Sequence, residues 1–536
     1  MRALPEAASY EELRRRFRWN VPARFNIGSA CLDPHAAAGL GPAIVELDAG
    51  LAARALDFAG LRALANCIAN LLTAEGVRPG DRVGVLLPQG IACAAAHLAA
   101  YRLGAIALPL FGRFGPDALA YRLTDSGAAA LLTDADGAAK VAPLHPELSA
   151  LATVWDTGSA AWRSALERAS DIFEPIDTAP DDPAVLIYTS GTTGPPKGAL
   201  HGHRVLLGHL PGVELSQRFF PQPGDRFWTP ADWAWIGGLL DVLLPSLYHG
   251  VAVVAGPLGP FDPERTLRVL ADQAVRNVFF PPTALRLLRA SGLDPRNLGV
   301  RLRSVGSGGE SLGDDVIDWG RARLGLEIDE FYGQTECNLV VSGCADLFPR
   351  RPGAMGRAVP GHDVAIVDAD GRPLPAGATG TIAVRRPDPV MFLGYWNLPD
   401  ATAEKFRGDW LLTGDLGRAD TEGWLTYLGR EDDVISSAGY RIGPAEVEAC
   451  LLKHPAVALC AVVGWPDAVR GEIVKAFVVP AADATPSAEL AREIQGFVKS
   501  RLAAHAYPRD LEFRDELPLT PTGKVRRRDL RAPPAA

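Results

Sequence analysis

A chain of 536 residues, 48% hydrophobic and 22% charged, has the balance of a globular protein with large cores, enough for about three or four folding units. A net charge of −9 argues against a nucleic-acid binder held by general basicity, and seven cysteines without Cys-x-x-Cys spacing read as free thiols rather than a zinc site or a disulfide framework. The first residues carry acids and no apolar stretch, which excludes a signal peptide; the expected compartment is the cytoplasm, with no membrane contact.

In chain order, the first half alternates apolar β-branched runs with alanine- and leucine-rich stretches. Leu51 to Gly76 reads as helix, Val83 to Leu87 as a buried strand, Ile91 to Leu110 as a buried amphipathic helix broken by His97 and Arg102, and Val251 to Val254 as another strand. Such alternation implies parallel sheets covered by helices. From about Pro352 the texture changes to short strands joined by Asp-Gly and Pro-Ala-Gly turns, an antiparallel hairpin region. From Gly429 a small unit begins, with helices expected at Pro444 to Lys453 and Ala488 to Ala503, and strands at Val457 to Gly464 and Lys475 to Val479. The final residues read as a frayed tail. The domain break falls best in the polar run Arg430-Glu431-Asp432-Asp433, dividing the chain into 1–431 and 432–536.

The strongest local signal is Tyr188-Thr189-Ser190-Gly191-Thr192-Thr193-Gly194-Pro195-Pro196-Lys197-Gly198, directly after the apolar run Ala184 to Ile187. Glycines let backbone N–H groups turn toward an anion, hydroxyls add donors, and Lys197 adds charge, so the loop suits a polyphosphate. Pro195-Pro196 after Gly194 excludes a Walker A loop.

This loop resembles the signature of the adenylate-forming superfamily, which includes the acyl-CoA synthetases, and the other motifs come in the expected order. Gly306-Ser307-Gly308-Gly309-Glu310-Ser311 is similar to the segment flanking adenine, and Phe331-Tyr332-Gly333-Gln334-Thr335-Glu336 to the aromatic-x-Gln-Thr-Glu motif. Thr413-Gly414-Asp415 is similar to the ribose turn, Arg430 through Gly439-Tyr440-Arg441 to the hinge and thiol-facing loop, and Pro521-Thr522-Gly523-Lys524 to the C-terminal lysine motif. The resemblance implies an α/β protein with added β structure. Its large N-terminal domain would hold two parallel-sheet subdomains and a β-barrel-like one, and its small α+β C-terminal domain would be mobile.

The implied reaction is ATP-dependent activation of a carboxylic acid as an acyl-adenylate, followed by transfer to a thiol. Lys524 is expected to bridge carboxylate and α-phosphate, Thr335 to donate to that phosphate, Glu336 to hold Mg²⁺, and Lys197 to serve the phosphates. Tyr332 would lie against adenine, Asp415 would accept from the ribose hydroxyls, and Arg430 would contact the ribose; Gly309, Glu310 and Glu330 to Gln334 complete the ATP set. Closer resemblance to medium-chain acyl-CoA synthetases, through Trp465 to Glu472 and Tyr507-Pro508-Arg509, gives Arg470, Tyr507, Pro508 and Arg509 to CoA beside Gly439 to Arg441.

A carrier-protein acceptor, a short-chain acid and a non-catalytic relative are the alternatives. Short-chain enzymes carry tryptophan where this chain has Gly333, so an open pocket is expected, lined also by Trp235 and Ile236 and suited to a medium-length, branched or aromatic acid. His201 and His203 are expected as hydrogen-bonded loop residues and Cys337 as packing. Lys524 also resembles a site of reversible acylation, which implies acylating and deacylating enzymes as partners.

Overall fold

The computed structural model describes residues 2–189, 195–256, 259–310, 312–433, 435–437, 440–467, 471–501, 507–520 and 524–531. Ser190, Gly191, Thr192, Thr193 and Gly194 of the expected phosphate loop lie outside the described residues, as do Ser311, Gly439, Arg470, Pro521 to Gly523 and residues 532–536. The side chains of Asp432, Tyr440 and Arg441 lie outside them too.

Two large sheets organise the first 430 residues. One has seven strands in the order Gly394–Tyr395, Lys197–Gly202, Pro183–Thr189, Ile106–Pro109, Arg82–Leu86, Ala130–Thr133, Thr153–Asp156. Its last five strands run parallel; Lys197–Gly202 returns antiparallel to Pro183–Thr189, and Gly394–Tyr395 pairs antiparallel with Lys197–Gly202. Helices cover both faces, so strands such as Ala130–Thr133 are buried at every position.

The other large sheet has fourteen strands. Its parallel half, built on Pro42–Leu47, Val253–Ala255, Phe227–Trp228, Asn277–Phe279, Ser304–Gly308 and Ile328–Gln334, passes through the last of these into an antiparallel half ending at Val364–Val367. The hairpin region expected after Pro352 is therefore hydrogen-bonded to a parallel sheet through the strand that carries Tyr332 to Gln334. Beyond Arg430 a five-stranded sheet takes over, from Ile435–Ser437 to Asp510–Phe513, packed against helices Pro444–Leu451 and Ala488–Arg501.

Two elements differ from expectation. Leu51 to Gly76 is not one helix: Ala53–Asp57 is a strand and the helix spans Phe58–Ala74. Asp48 accepts from Gly50 N and Ala52 N at 2.7 and 2.9 Å, closing a hairpin onto Pro42–Leu47. Asp57 then caps the helix by accepting from Gly60 N at 2.7 Å. Local side-chain turns thus override the helix propensity of alanine.

Ile91 to Leu110 is likewise a helix, Ile91–Arg102, followed by the strand Ile106–Pro109. The helix is not amphipathic, because every residue but Ala92 is buried. Its polar residues turn inward: Arg102 pairs with Asp33 at 2.8 Å, and burial drives the His97 pKa down to about 3, so that ring is neutral. No described helix is long and apolar enough to cross a membrane.

Candidate active site

The motif residues converge where the parallel half of the fourteen-stranded sheet meets the antiparallel half. Tyr332 and Gln334 end the strand Ile328–Gln334, and Cys337–Ser342 returns antiparallel, so Thr335 and Glu336 occupy a tight turn. Asp415, on the strand Trp410–Ala419, lies opposite Arg430 in register. Tyr332 Oη donates to Asp415 Oδ2 at 2.7 Å, and Gln334 Nε2 donates to the same oxygen at 3.2 Å and to Thr413 O at 3.1 Å. Arg430 stands 4.0 Å from Oδ1. Burial pushes the Asp415 carboxyl pKa up; Arg430, the Tyr332 hydroxyl, Lys405 and Lys524 oppose that rise. A carboxylate preset by a phenol and an amide is ready to accept further hydroxyl donors.

Glu336 takes a short bond from the Tyr395 hydroxyl, and its carbonyl accepts from Phe392 N at 2.9 Å. Lys197 opens the strand that leaves the phosphate loop, and its ammonium stands 5.3 Å over the Tyr395 ring. Tyr395 thus links two of the expected catalytic residues, Lys197 and Glu336. Nothing in the sequence singled it out, since it lies in a short apolar stretch with no motif of its own. Among the described residues no cluster of three or more acidic, histidine or cysteine side chains could hold a metal.

The opposite wall comes from the Ser304–Gly308 strand and from Gly309 and Glu310 just beyond its end. Glu310 accepts from Thr283 Oγ1 at 3.0 Å and from Arg286 at 2.9 Å. Phe331 packs so closely under Gly308 that a Cβ there would stand 2.6 Å from its ring. Gly309 adopts φ +95°, and a Cβ on it would lie 3.7 Å from Lys524 Cε and 4.0 Å from Nζ. The small domain therefore brings Lys524 to the Gly309 edge of the site. Burial pushes the Glu330 carboxyl up to about 7 against the pull of Arg350.

Other expected residues divide. Trp235 is half-buried, its ring 5.6 Å from Phe111 and 6.0 Å from Phe114, while Trp233 is core. Ile236 starts the short turn beyond Trp235. Tyr507, Pro508 and Arg509 lead into the strand Asp510–Phe513, with Arg509 and Lys499 5.1 and 5.3 Å over the Tyr507 ring, a basic surface on the small domain.

Two expectations need correction. Gly333 does not simply open a pocket: a Cβ there would meet Leu339 N at 2.2 Å and Asn338 Cα at 2.7 Å, so the returning strand of its own hairpin requires the glycine. His201 is not a loop residue, since it lies within the strand Lys197–Gly202, and both it and His203 are fully buried. His201 lies against the Thr335 backbone with its pKa lowered by burial to about 3, and His203 Nδ1 accepts from Ile27 N at 3.2 Å. Cys337 is buried packing, its thiol pKa raised by burial.

A family profile described as AMP-binding enzyme matches residues 41–396, and one described as AMP-binding enzyme C-terminal domain matches 446–524. The chain is 36% identical over 530 residues to the mitochondrial acyl-coenzyme A synthetase ACSM2 of Rattus norvegicus, covering 96% of this chain and 92% of that one. It belongs to the AMP-binding, acyl-coenzyme A synthetase superfamily.

Among solved structures it is similar to the anthranilate CoA ligase AuaEII in complex with anthranoyl-AMP, at TM-score 0.87 and 27% identity over 95% of this chain and 97% of that one. It also resembles MatB from Rhodopseudomonas palustris, covering 94% of this chain and 98% of MatB in both forms. The ATP-bound form gives 30% identity and TM-score 0.84, the apo form 29% and 0.76. As a member of this superfamily the chain is an AMP-forming ligase.

Proposed function

We propose that this ligase joins a medium-length, branched or aromatic carboxylic acid to coenzyme A through an acyl-adenylate. The observation that carries the first half-reaction is the approach of Lys524 to Gly309 beside the preset Asp415, Tyr332 and Gln334 cluster. An acid oxygen attacks the α-phosphorus of ATP, a new P–O bond forms, and the bond to pyrophosphate breaks. Negative charge gathers on the α-phosphoryl oxygens and on the incoming carboxylate. An ammonium at Lys524 and the Thr335 hydroxyl are suited to meet that charge, where fixed donors act most strongly. Asp415 and Arg430 would hold the ribose, Tyr332 the adenine face, and Lys197 with the phosphate loop the pyrophosphate.

Mg²⁺ fits this donor set: Glu336 offers one carboxylate, its second oxygen unclaimed among the described residues, and magnesium sites combine one or two carboxylates with substrate phosphates. Bound there, the ion would neutralise phosphate charge.

In the second half-reaction the thiolate sulfur attacks the acyl carbon, a thioester forms, and AMP leaves with the bonding pair. Similarity to an acyl-coenzyme A synthetase and to a CoA ligase favours coenzyme A as the thiol. The Tyr507, Arg509 and Lys499 surface suits its phosphates. The present orientation favours adenylation, since similarity is greater to the ATP-bound than to the apo form of MatB. A rotation about Asp432 would withdraw Lys524 and bring up the Gly439 to Arg441 loop. Lys524 is exposed, so an acylating enzyme could reach it and remove its charge.

Pyrophosphate release is the test, measured over acids from acetate to decanoate plus benzoate, with and without coenzyme A. Release that rises with coenzyme A and a medium or aromatic acid supports the reading. Acetate emerging with the highest kcat/KM would overturn the acid assignment, and thioester formed only on a carrier protein would overturn the thiol.

A further inference from the structure

Beside the aromatic rings around Trp235 and Gly237, the residues assigned to the acyl chain also have a buried polar pair for a neighbour. Leu239–Leu243 winds as a π-helical turn directly after Ile236–Gly238. Such turns occur mostly singly and often at functional sites. Asp241, at the centre of this one, is 3% exposed. Its Oδ1 accepts from Asn338 Nδ2 at 2.7 Å. Its Oδ2 has no hydrogen-bond partner among the described residues, and a Cβ at Gly237 would stand 3.6 Å from it. Asn338 is the residue whose backbone fills the space behind Gly333. Gly237 thus packs on the Phe279 ring, at 2.9 Å from such a Cβ, with the Asp241 carboxyl next to it, while Gly333 packs on the Asn338 backbone.

The proton on that carboxyl has a definite place to go. Burial pushes the Asp241 pKa up to about 8, against the pull of the Asn338 bond, so the group is largely an acid at neutral pH. Oδ1 already accepts from Asn338. His209 Nε2 faces Oδ1 at 3.9 Å, beyond hydrogen-bond reach, and its Nδ1 donates to Val205 O at 2.7 Å. The hydroxyl on Oδ2 thus points toward Gly237 without an acceptor. A ligand oxygen placed there can accept from a donor that no described residue engages.

We propose that Asp241, oriented by Asn338, is a specificity-determining residue that donates to an oxygen on the distal part of the acyl group. Preferred acids then carry a carbonyl oxygen where the plain alkyl analogue carries a methyl. This rests on the ligase reading above and narrows its substrate class. A site built around a hydrogen bond rejects the analogue lacking it far more strongly than a greasy pocket rejects a methylene.

The test uses matched oxo and methyl acids: 4-oxopentanoate with 4-methylpentanoate, 5-oxohexanoate with 5-methylhexanoate, and 4-acetylbenzoate with 4-isopropylbenzoate. The full-length protein is assayed by pyrophosphate release with coenzyme A. The oxo member of at least one pair is expected to lead by roughly 10-fold or more in kcat/KM. Asp241→Leu should abolish or reverse that ratio, whereas Asp241→Asn, which keeps a donor, should retain most of it. The ratio within a pair does not depend on the fraction of enzyme that is folded, so a general loss of structure cannot imitate the result. Equal kcat/KM within every wild-type pair, or a ratio unmoved in Asp241→Leu, overturns the inference and leaves the ligase reading standing. No pyrophosphate from these acids or from acetate, decanoate and benzoate overturns both.

Discussion

The two sides of the active site are built in opposite ways. On the large domain, Tyr332, Gln334, Asp415 and Thr413 are bonded to one another before any nucleotide arrives, on strands shared with the main sheet. On the small domain, Lys524 is exposed, and its backbone is held within its own segment by Thr520, whose hydroxyl accepts from Lys524 N at 3.0 Å. Its ammonium reaches the large domain at Gly309, a residue with no side chain to grip it. A partly exposed pair, Lys453 with Asp314 at 3.4 Å, also bridges the domains, and such pairs contribute about 0–1 kcal/mol. In the proposed reading, recognition is fixed, while the cation assigned to the reaction rests on exposed contacts of its own. An enzyme running two half-reactions in one place needs both properties.

The largest expected effect comes from removing the delivered cation. Lys524→Ala should lower acyl-adenylate formation by about 100- to 1,000-fold, the range for losing one transition-state donor. It should leave conversion of supplied acyl-adenylate to thioester near the wild-type rate. Single-turnover assays of each half-reaction decide it, and equal losses in both would break the contrast between fixed and delivered groups. On the fixed side, Asp415→Asn turns an acceptor of two bonds into a group that also presents donors to Tyr332 and Gln334. It should raise the KM for ATP by about 10- to 100-fold. An unchanged KM would mean that the cluster is packing rather than recognition.

The delivered side was the more legible in sequence, because Lys524 sits in a short, ordered motif and short motifs survive without knowledge of packing. The cluster on the fixed side was named residue by residue, but its wiring was not. Tyr395, which joins Lys197 to Glu336, lies far along the chain from both and reaches them only because Gly394–Tyr395 pairs with Lys197–Gly202 at a sheet edge. The expectation for Gly333 erred for a related reason: a glycine can be demanded by an empty pocket or by a neighbouring backbone, and only coordinates distinguish them. Segments went astray where local turns decided the outcome. The Asp48 turn makes a strand of Ala53–Asp57 although its composition reads as helix.

Despite that weak grip, the Lys524 segment is anchored from behind. Three residues on, Arg527 donates to both oxygens of Glu448 at 2.7 and 2.9 Å and lies 3.4 Å from Asp433, just past the hinge; Arg531 adds a 2.5 Å bond to Asp433. The lysine segment is thereby tied to helix Pro444–Leu451 and to the proposed hinge, so in the proposed rotation it would turn with the small domain as one piece. Arg527→Met should remove about 1.5–3 kcal/mol of charge-assisted bonding. Adenylation should slow by about 10-fold, consistent with a reacting group that has lost its aim. The affinity for ATP alone should hold, because the Tyr332, Gln334 and Asp415 bonds do not involve Arg527. An ATP Kd that moved with the rate would place Arg527 in recognition instead.

The smallest effect probes what preorganisation costs on the fixed side. Glu330 begins the stretch that carries Phe331 and Tyr332, and burial raises its pKa from 4.5 to about 7. A carboxyl whose folded pKa lies above its unfolded one binds its proton more tightly in the native state. Its contribution to stability is full below pH 4.5 and is lost as pH rises through about 7. Glu330→Gln cannot ionise, so the fall in Tm between pH 5 and 8 should be shallower in the variant by about 2 °C. Asp329, raised by burial to about 6, remains and should leave a residual slope at the acid end. Parallel Tm curves for the two proteins would show that Glu330 ionises in the native state at no cost, and that this part of the nucleotide wall is open to water rather than held dry.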